Sequence, residues 1–593
     1  MKRSDTGSKV LKYAWGCTTL LYVGAVIYSI LVEQPFFADG VHFFLSILEY
    51  PFVFDAGNIS RVWGHYFTEI PILFVLKFTS IRDVSVLSYL FSSGFYLAQA
   101  FCLLVCLWIA RKANQNYMLF AVMGIIGISG NIMFLTVQDG LLMSYLFWPL
   151  LFYLALMEEY SPFHAIMAVG IAFVSTRTYE SAMFNNPVLL TVLGIMAVKG
   201  WKDATYLTKA TWLVIGGFLI AGIYVAVHSV LQPFYGGNQA NFIESIQSVV
   251  RNPQVLFTTV SLALLCLHLI RDDDRLYRGS ILVLGVTGLL IGLFPLILPS
   301  LTPPEHHYSA RPYVAYVLPV FGLIVFYVMR FKKNITSMQW KRASSVCLIL
   351  ATVQLVCHLS MTVQWQGFRK VFIEELVTHQ GPIRFEDTRI SKTRVGYQLM
   401  RPLSWHWTNP TMSIAWSPNH DVTTVIANPV NSKRGWEPIN VLDVDTFPKL
   451  ADYGFSYKKY KENLALVSGA LQFLPIYSIG WSVAEGDQRW SIANRAEISI
   501  VNDSTVPQLV SVEFISMTMK PRNIEISING KQLEKLSLGS SGPLRRFKQN
   551  SIMLVPGTNT LAIDTDVPAE PAGDGDLRKL SFGIANLRVS REW

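Results

Sequence analysis

Charge is scarce in this 593-residue chain: 15% of residues are Asp, Glu, Lys or Arg, while 51% are hydrophobic. Mean hydropathy is positive, a balance that speaks against an ordinary soluble globular chain and for an integral membrane protein. Cysteine is missing from the C-terminal part. All six, at 17, 102, 106, 266, 347 and 357, fall in apolar runs, so the residues beyond 361 have none for a disulfide. An external domain without cystines rests on its core alone, which suits a bacterial periplasm or cell surface better than a eukaryotic lumen. No GxSxG, HExxH, P-loop or CxxC pattern occurs, so hydrolase, protease and nucleotide chemistry lack a motif. No basic patch interleaved with aromatics points to nucleic acid. There is no internal repeat and no low-complexity linker beyond the short acidic loop VPAEPAGDGD (567–576).

What the chain has is long apolar runs. Stretches of about 20 residues, enough to cross roughly 30 Å of hydrocarbon, recur down to about residue 361 and then stop. Eleven spans are predicted, near 12–32, 84–110, 117–136, 141–157, 163–176, 186–199, 209–230, 254–270, 279–300, 312–330 and 341–361. The first is too long, and has too little small-residue signal after it, to be a removable leader, and reads as a retained anchor. With the amino terminus inside, the cytoplasmic loops hold Lys2, Arg3, Lys9, Arg111, Lys112, Lys199, Lys202, Lys209, Arg271, Arg275, Arg278, Arg330, Lys332, Lys333, Lys341 and Arg342, while the opposite loops are poor in Lys and Arg. These loops account for most of the net charge of +9, with anionic head groups as a further partner. An odd number of spans leaves the tail outside.

The stretch HYFTEIPILFVLKFTSI (65–81) is apolar enough to count as a span, but counting it would spoil the charge asymmetry. Residues 41–81 therefore read as a long external loop with interfacial amphipathic helices. The tail alternates apolar and polar residues in AEISIVN, LVSVEFISM, NIEISINGKQLEKLSL and NTLAIDT, with Asn529-Gly530 placed as a hairpin turn. The expected fold is a polytopic α-helical membrane domain over 1–361, a mixed extracytoplasmic region over 362–483, and a mostly β sandwich or jelly roll over 484–593. Trp405, His406, Trp407, Trp416 and Trp436 lie in the mixed region, where they either stack on sugar or staple a small domain together.

The spans hold few ionisable residues, with no row of them at mid-membrane, which argues against a proton-driven transporter or pump. The polar residues that demand explanation sort to the outer side. They are Asp39 in EQPFFADGVHFF, Asp55, Asp139, Arg177 and Glu180 in STRTYES, Tyr235, Glu244, and Glu305, His306, His307 and Arg311 in PPEHHYSARPYVAY. Each has a plain alternative. Asp39 is a favoured residue type for capping a helix that starts near Val41. Arg177 and Arg311 can snorkel to head groups, as Arg at span ends does. His306 and His307 can be loop residues, and with Glu305 they do not make a metal set by spacing.

Together, one Asp soon after the first span, a greasy first external loop, an Arg/His cluster before a late span and an external tail resemble the GT-C superfamily of polytopic glycosyltransferases. HHYSARPYVAYVLPVFGL is similar to the Arg/Tyr-containing start of a late span in lipid-linked aminoarabinose and mannose transferases. The resemblance implies a sugar donor carried on a polyprenyl phosphate, an acceptor glycan or glycolipid on the periplasmic face of a bacterial inner membrane, and inversion at the anomeric carbon. It makes Asp39 the base. Many relatives carry paired acids there, whereas this chain has Asp39-Gly40, which leaves Asp55 open as base or partner. Arg311 is implied as the phosphate ligand, with Arg177, His306 and His307 as further cations, and Asp139, Glu180, Tyr235 and Glu305 as other cleft residues. No cofactor is expected to be required, and a divalent metal is not needed where cations are at hand. The rival readings are a flippase or polysaccharide exporter, a non-catalytic assembly factor that binds glycan or protein, and a ligase moving a preassembled glycan.

Overall fold

The computed structural model describes residues 3–49, 62–134, 139–231, 252–297, 310–399, 403, 408–426, 448–460, 475–482, 488–539, 545–573 and 576–591, less 272, 333, 384, 393, 396, 397 and 503. The chain divides into two compact units, Met1–Phe37 with Asn58–Gly367 and Arg394–Gln398, and Ala38–Gly57 with Phe368–Thr393 and Leu399–Trp593.

Uninterrupted apolar runs become helices. In chain order these are α1 (Arg3–Leu31), α2 (Gly40–Glu49, in the second unit), α3 (Val62–Phe78), α4 (Val84–Ala113), α5 (Met118–Val122), α6 (Asp139–Leu156), α7 (Pro162–Ser175), α8 (Ala182–Gly200), α9 (Tyr206–Leu231), α10 (Pro253–Ile270), α11 (Asp274–Ile297), α12 (Arg311–Phe331) and α13 (Ser337–Thr378). Among the described residues, eight of them, α1, α4 and α8 to α13, are long and apolar enough to cross a membrane. The predicted intervals 117–136, 141–157 and 163–176 hold α5 with the π and 3-10 turns that continue it to Ile132, then α6, then α7.

Helix α6 is the centre of the first unit. Residues 140–155 are all buried, which fits a helix that is apolar on every side. At the periphery, Leu20, Leu231 and Leu282 are each at least two-thirds exposed, as lipid-facing residues are. Helix α1 is joined to α13 by side chains, with Trp15 Nε1 donating to Ser344 Oγ at 2.8 Å, Ser29 Oγ 3.0 Å from His358 Nε2, and Trp365 Nε1 donating to the Val32 carbonyl at 3.1 Å. Such interhelical hydrogen bonds hold helices together where lipid offers no polar partner.

Helices are expected within 41–81, and one later element departs from the hydropathy reading. Within 41–81 the structure has α2 and α3, and α3 lies against α4 with Gly64, Thr68, Glu69, Ile72 and Leu76 buried. Gly94 permits the approach, because a Cβ there would sit 1.7 Å from the Thr68 carbonyl oxygen. The helix of the last predicted span does not stop at 361 but runs on to Thr378. Arg369, Lys370, Glu374 and Glu375 are good helix formers, so hydropathy falls there while helicity does not.

In the second unit, Trp416 is buried against the rings of Phe368 and Phe372, the stapling role for this Trp. Trp405, His406, Trp407 and Trp436 lie outside the described residues. A short helix, α14 (Asn409–Ala415), packs on α2. Parallel strands β1 (Gly381–Ile383) and β2 (Thr424–Ile426) pair beside it. The rest is antiparallel: β3 (Pro475–Tyr477), β4 (Gln488–Trp490), β5 (Arg495–Asn502), β6 (Gln508–Thr518), β7 (Arg522–Ile528), β8 (Lys531–Leu538), β9 (Arg545–Leu554), β10 (Gly557–Thr565), β11 (Glu570–Gly573), β12 (Asp576–Leu580) and β13 (Phe582–Arg591). One sheet has the order β8-β7-β10-β5-β3 and another β9-β6-β13-β4. Alternation puts Ile498, Ile500, Ile524 and Ile526 of the first and Val512, Phe514 and Phe582 of the second into one core. Asn529 (φ 48°) and Gly530 (φ 79°) close the β7–β8 hairpin, both left-handed as a two-residue turn of this kind requires. The acidic stretch at 567–576 carries the small β11–β12 hairpin, where the sequence suggests only a loop.

Candidate functional site

The STRTYES turn between α7 and α8 is built by its own hydroxyls. Ser175, Thr176 and Thr178 return their side-chain oxygens to the carbonyls of Ala172, Phe173 and Val174 at 2.7, 2.7 and 2.6 Å, occupying acceptors that the end of a helix leaves open. The turn is tied to α3 through Trp63 N–H, which donates to the Arg177 carbonyl at 3.0 Å. Tyr179 then reaches two neighbours. A Cβ on Gly140, in the first turn of α6, would lie 3.1 Å from the Tyr179 ring. Arg311, the first residue of α12, brings its Nη1 to 3.5 Å from the Tyr179 hydroxyl, the outer limit of a hydrogen bond. The ring of Phe184 packs on Tyr316, 4.6 Å between centroids, one turn further into α8 and α12.

Chemically this corner joins a guanidinium to two helix starts, on a turn and a helix start that also carry Glu180 and Asp139. The amino-terminal ends of α6 and α12 meet here through Gly140, Tyr179 and Arg311, and helix amino termini carry partial positive charge. A guanidinium stands at the same place and matches phosphate geometry with parallel N–H donors. Pro312 follows Arg311 directly, a residue suited to a helix start because it has no N–H to leave unsatisfied. Arg177 and Glu180, both half-buried, belong to the same turn, the latter accepting from Met183 N–H through its carbonyl at 3.1 Å. Asp139 is the first residue of α6.

At the opposite helix ends a different set gathers. Arg330 meets Glu158 at 2.8 Å, Lys199 lies over the Phe331 ring at 4.0 Å, and Lys332 Nζ donates to the Leu269 carbonyl at 2.6 Å. These groups stand at or just beyond the carboxyl-terminal ends of α6, α8, α10 and α12.

Asp39 belongs to the second unit and immediately precedes α2, its carbonyl taking the Phe43 N–H at 3.0 Å while the residue is half-exposed. That is the position of a helix cap. Asp55, Tyr235, Glu244, Glu305, His306 and His307 lie outside the described residues. Among the described residues no group of three or more His, Cys, Asp or Glu side chains is arranged to hold a metal ion.

Sequence reading missed a set of buried polar groups in the first unit. Glu33, in the left-handed region at φ 53°, accepts from Ser88 Oγ at 2.7 Å. Beside it Tyr96 donates to Gln34 Oε1 at 2.9 Å and stands 3.3 Å from His358 Nε2. Glu69 is fully buried with His65 at 3.6 Å. A small cavity of about 10 Å³, roughly the room of one water, is lined by Thr68, Tyr96, Leu141 and Tyr145. A second set links Asn131, Thr258 and Gln354, with Thr258 accepting from Asn131 Nδ2 at 3.0 Å and from Gln354 Nε2 at 2.8 Å. The available signal was the Glu-Gln pair directly before Pro35 and the lone amides inside spans, which hydropathy averages away. No protein-family model matches the chain, and no curated protein does.

Proposed function

We propose that the protein is an inverting membrane glycosyltransferase of GT-C type. It moves a single sugar from a polyprenyl-phosphate donor to an acceptor glycan or glycolipid on the periplasmic face of a bacterial inner membrane. The observation that carries the reading is the corner of Arg311, Tyr179 and the starts of α6 and α12, a setting fit for a lipid-linked phosphate. In this scheme eleven spans hold the amino terminus in the cytoplasm and the tail outside. The sheet orders support a jelly roll for the tail: with β4 as the first of eight strands and the β11–β12 hairpin left out of the count, they read 1-8-3-6 and 2-7-4-5, two Greek keys, and β3 is an added edge.

The chemistry is one displacement. Asp39 takes the proton of the acceptor hydroxyl as its oxygen bonds to the anomeric carbon. The bond from that carbon to the phosphate oxygen breaks, and the electron pair leaves with the polyprenyl phosphate. Arg311 and Arg177 stabilise the charge that grows on it, more in the transition state than in the ground state. The test is transfer of radiolabelled sugar from a panel of polyprenyl-phosphate donors by the purified protein. Turnover that depends on Arg311 supports the reading, and a chain that transfers from no donor removes it.

The buried polar sets around Glu33, Tyr96 and His358 and around Asn131 and Gln354 favour a second reading, an exporter of lipid-linked glycan. It predicts movement of such a glycan across vesicles without sugar transfer.

A further inference from the structure

Helix α2 is short, about 15 Å at 1.5 Å per residue, and too brief to stand alone in water. It is held by later segments of the same unit. Val41, Phe44, Leu45, Ile47 and Leu48 are buried, with α14 and the turn Pro448–Tyr453 packed against the helix. At its last residue, Glu49, the contact is polar and reciprocal. The Glu49 carboxylate Oε2 accepts from the Lys449 backbone N–H at 2.8 Å, capping the start of the 448–453 turn. Lys449 Nζ donates in return to the Glu49 carbonyl at 3.1 Å, one of the acceptors that the end of α2 leaves open. Glu49 is fully buried, and burial pushes its carboxyl above the usual range, with Lys449 pulling it partly back.

A buried carboxylate is costly and is retained where its bonds fix something. What lies at the other end of this rigid helix is Asp39. We infer that Glu49 is a positioning residue: by gripping Lys449 it fixes α2 to the 448–453 turn, and so sets where the Asp39 carboxylate stands. The inference rests on the transferase reading of Asp39 and deepens it, because it makes the segment between the last apolar helix and the β sheets part of the catalytic apparatus.

The test uses the full chain in detergent, with Glu49→Ala, Glu49→Gln, Asp39→Asn and the Glu49→Ala/Asp39→Asn double variant. Glu49→Ala is expected to lower kcat by about tenfold to a hundredfold, the scale of a small misplacement of a reacting group, with the donor KM within about twofold. Glu49→Gln keeps an oxygen for the Lys449 N–H and is expected to recover most of the rate. In the Asp39→Asn background the Ala change should cost nothing further, since both act through one carboxylate. Amide exchange read on the same samples should quicken over residues 40–49 in Glu49→Ala and not in the membrane helices. Equal loss in Ala and Gln, a full additional loss in the double variant, or unchanged exchange would overturn the inference. No transfer by the wild type would overturn the transferase reading and with it any chemical role for Glu49, whereas faster exchange would still establish the grip.

Discussion

Arg311 is the residue on which the functional reading leans most, and its legibility was unusual. The sequence marks it through the resemblance of HHYSARPYVAYVLPVFGL to the start of a late span in lipid-linked sugar transferases, with snorkelling as the plain alternative. Its neighbour Tyr179 was not legible, because only the tight STRTYES turn and a missing side chain at Gly140 bring that ring across from another helix. Arg311→Ala is expected to lower transfer by about a hundredfold or more, the usual effect of deleting a donor to a developing oxyanion. Arg311→Lys should recover only part, because an ammonium lacks the planar fork, and rates from single-turnover transfer check this. A residue-scale pH effect belongs to the β sheets. Asp566 accepts from the Asn523 N–H at 2.8 Å, and that bond, then the Asn523 side chain, holds its carboxyl below the usual range. Lys520 does the same for Glu570. A depressed value means that the stability these groups give is present above the ordinary carboxylate range and lost as pH falls through and below it. Exchange of the Asn523 amide followed against pH should therefore quicken on acidification, and Asp566→Ala should remove most of that dependence.

Among elements, those set by a simple period were the easiest to read. The alternating strands and the Asn529-Gly530 turn are where their pattern puts them, since period two fixes which face each side chain takes. Helices set by tertiary contact were harder. α3 sits in a stretch apolar enough to count as a span, and what lets it lie close against α4 is the bare backbone at Gly94, invisible to hydropathy. Gly94→Val is expected to force α3 off α4 and lower the thermal midpoint in detergent, at a cost of about 1–3 kcal/mol typical of overpacking. An unchanged midpoint would mean that the close approach of Thr68 adds nothing. α13 was misjudged in length for the opposite reason: its last four turns are polar enough to be read as the start of the mixed region, yet nothing in them breaks a helix before Gly381.

At the scale of the molecule, composition and hydropathy were enough to give a half rich in helices long and apolar enough to cross a membrane and a β-rich tail, because both follow from averages over many residues. Which short segment belongs with which half was not legible. Residues 38–57 read as a loop of the membrane domain, yet they are counted with the tail, since α2 buries its apolar face there and ends in the Glu49–Lys449 grip. The central claim is that Asp39 at the head of α2 is the base of a sugar transfer. It is tested most directly by measuring transfer from a polyprenyl-phosphate sugar by Asp39→Asn beside the wild type, with donor binding read on the same preparations. The account predicts donor binding within about twofold of wild type and a loss of turnover of at least about a hundredfold, the lower end of what a positioned base supplies. Undiminished turnover in Asp39→Asn would contradict it and pass the role to another carboxylate, Asp55 or Glu180.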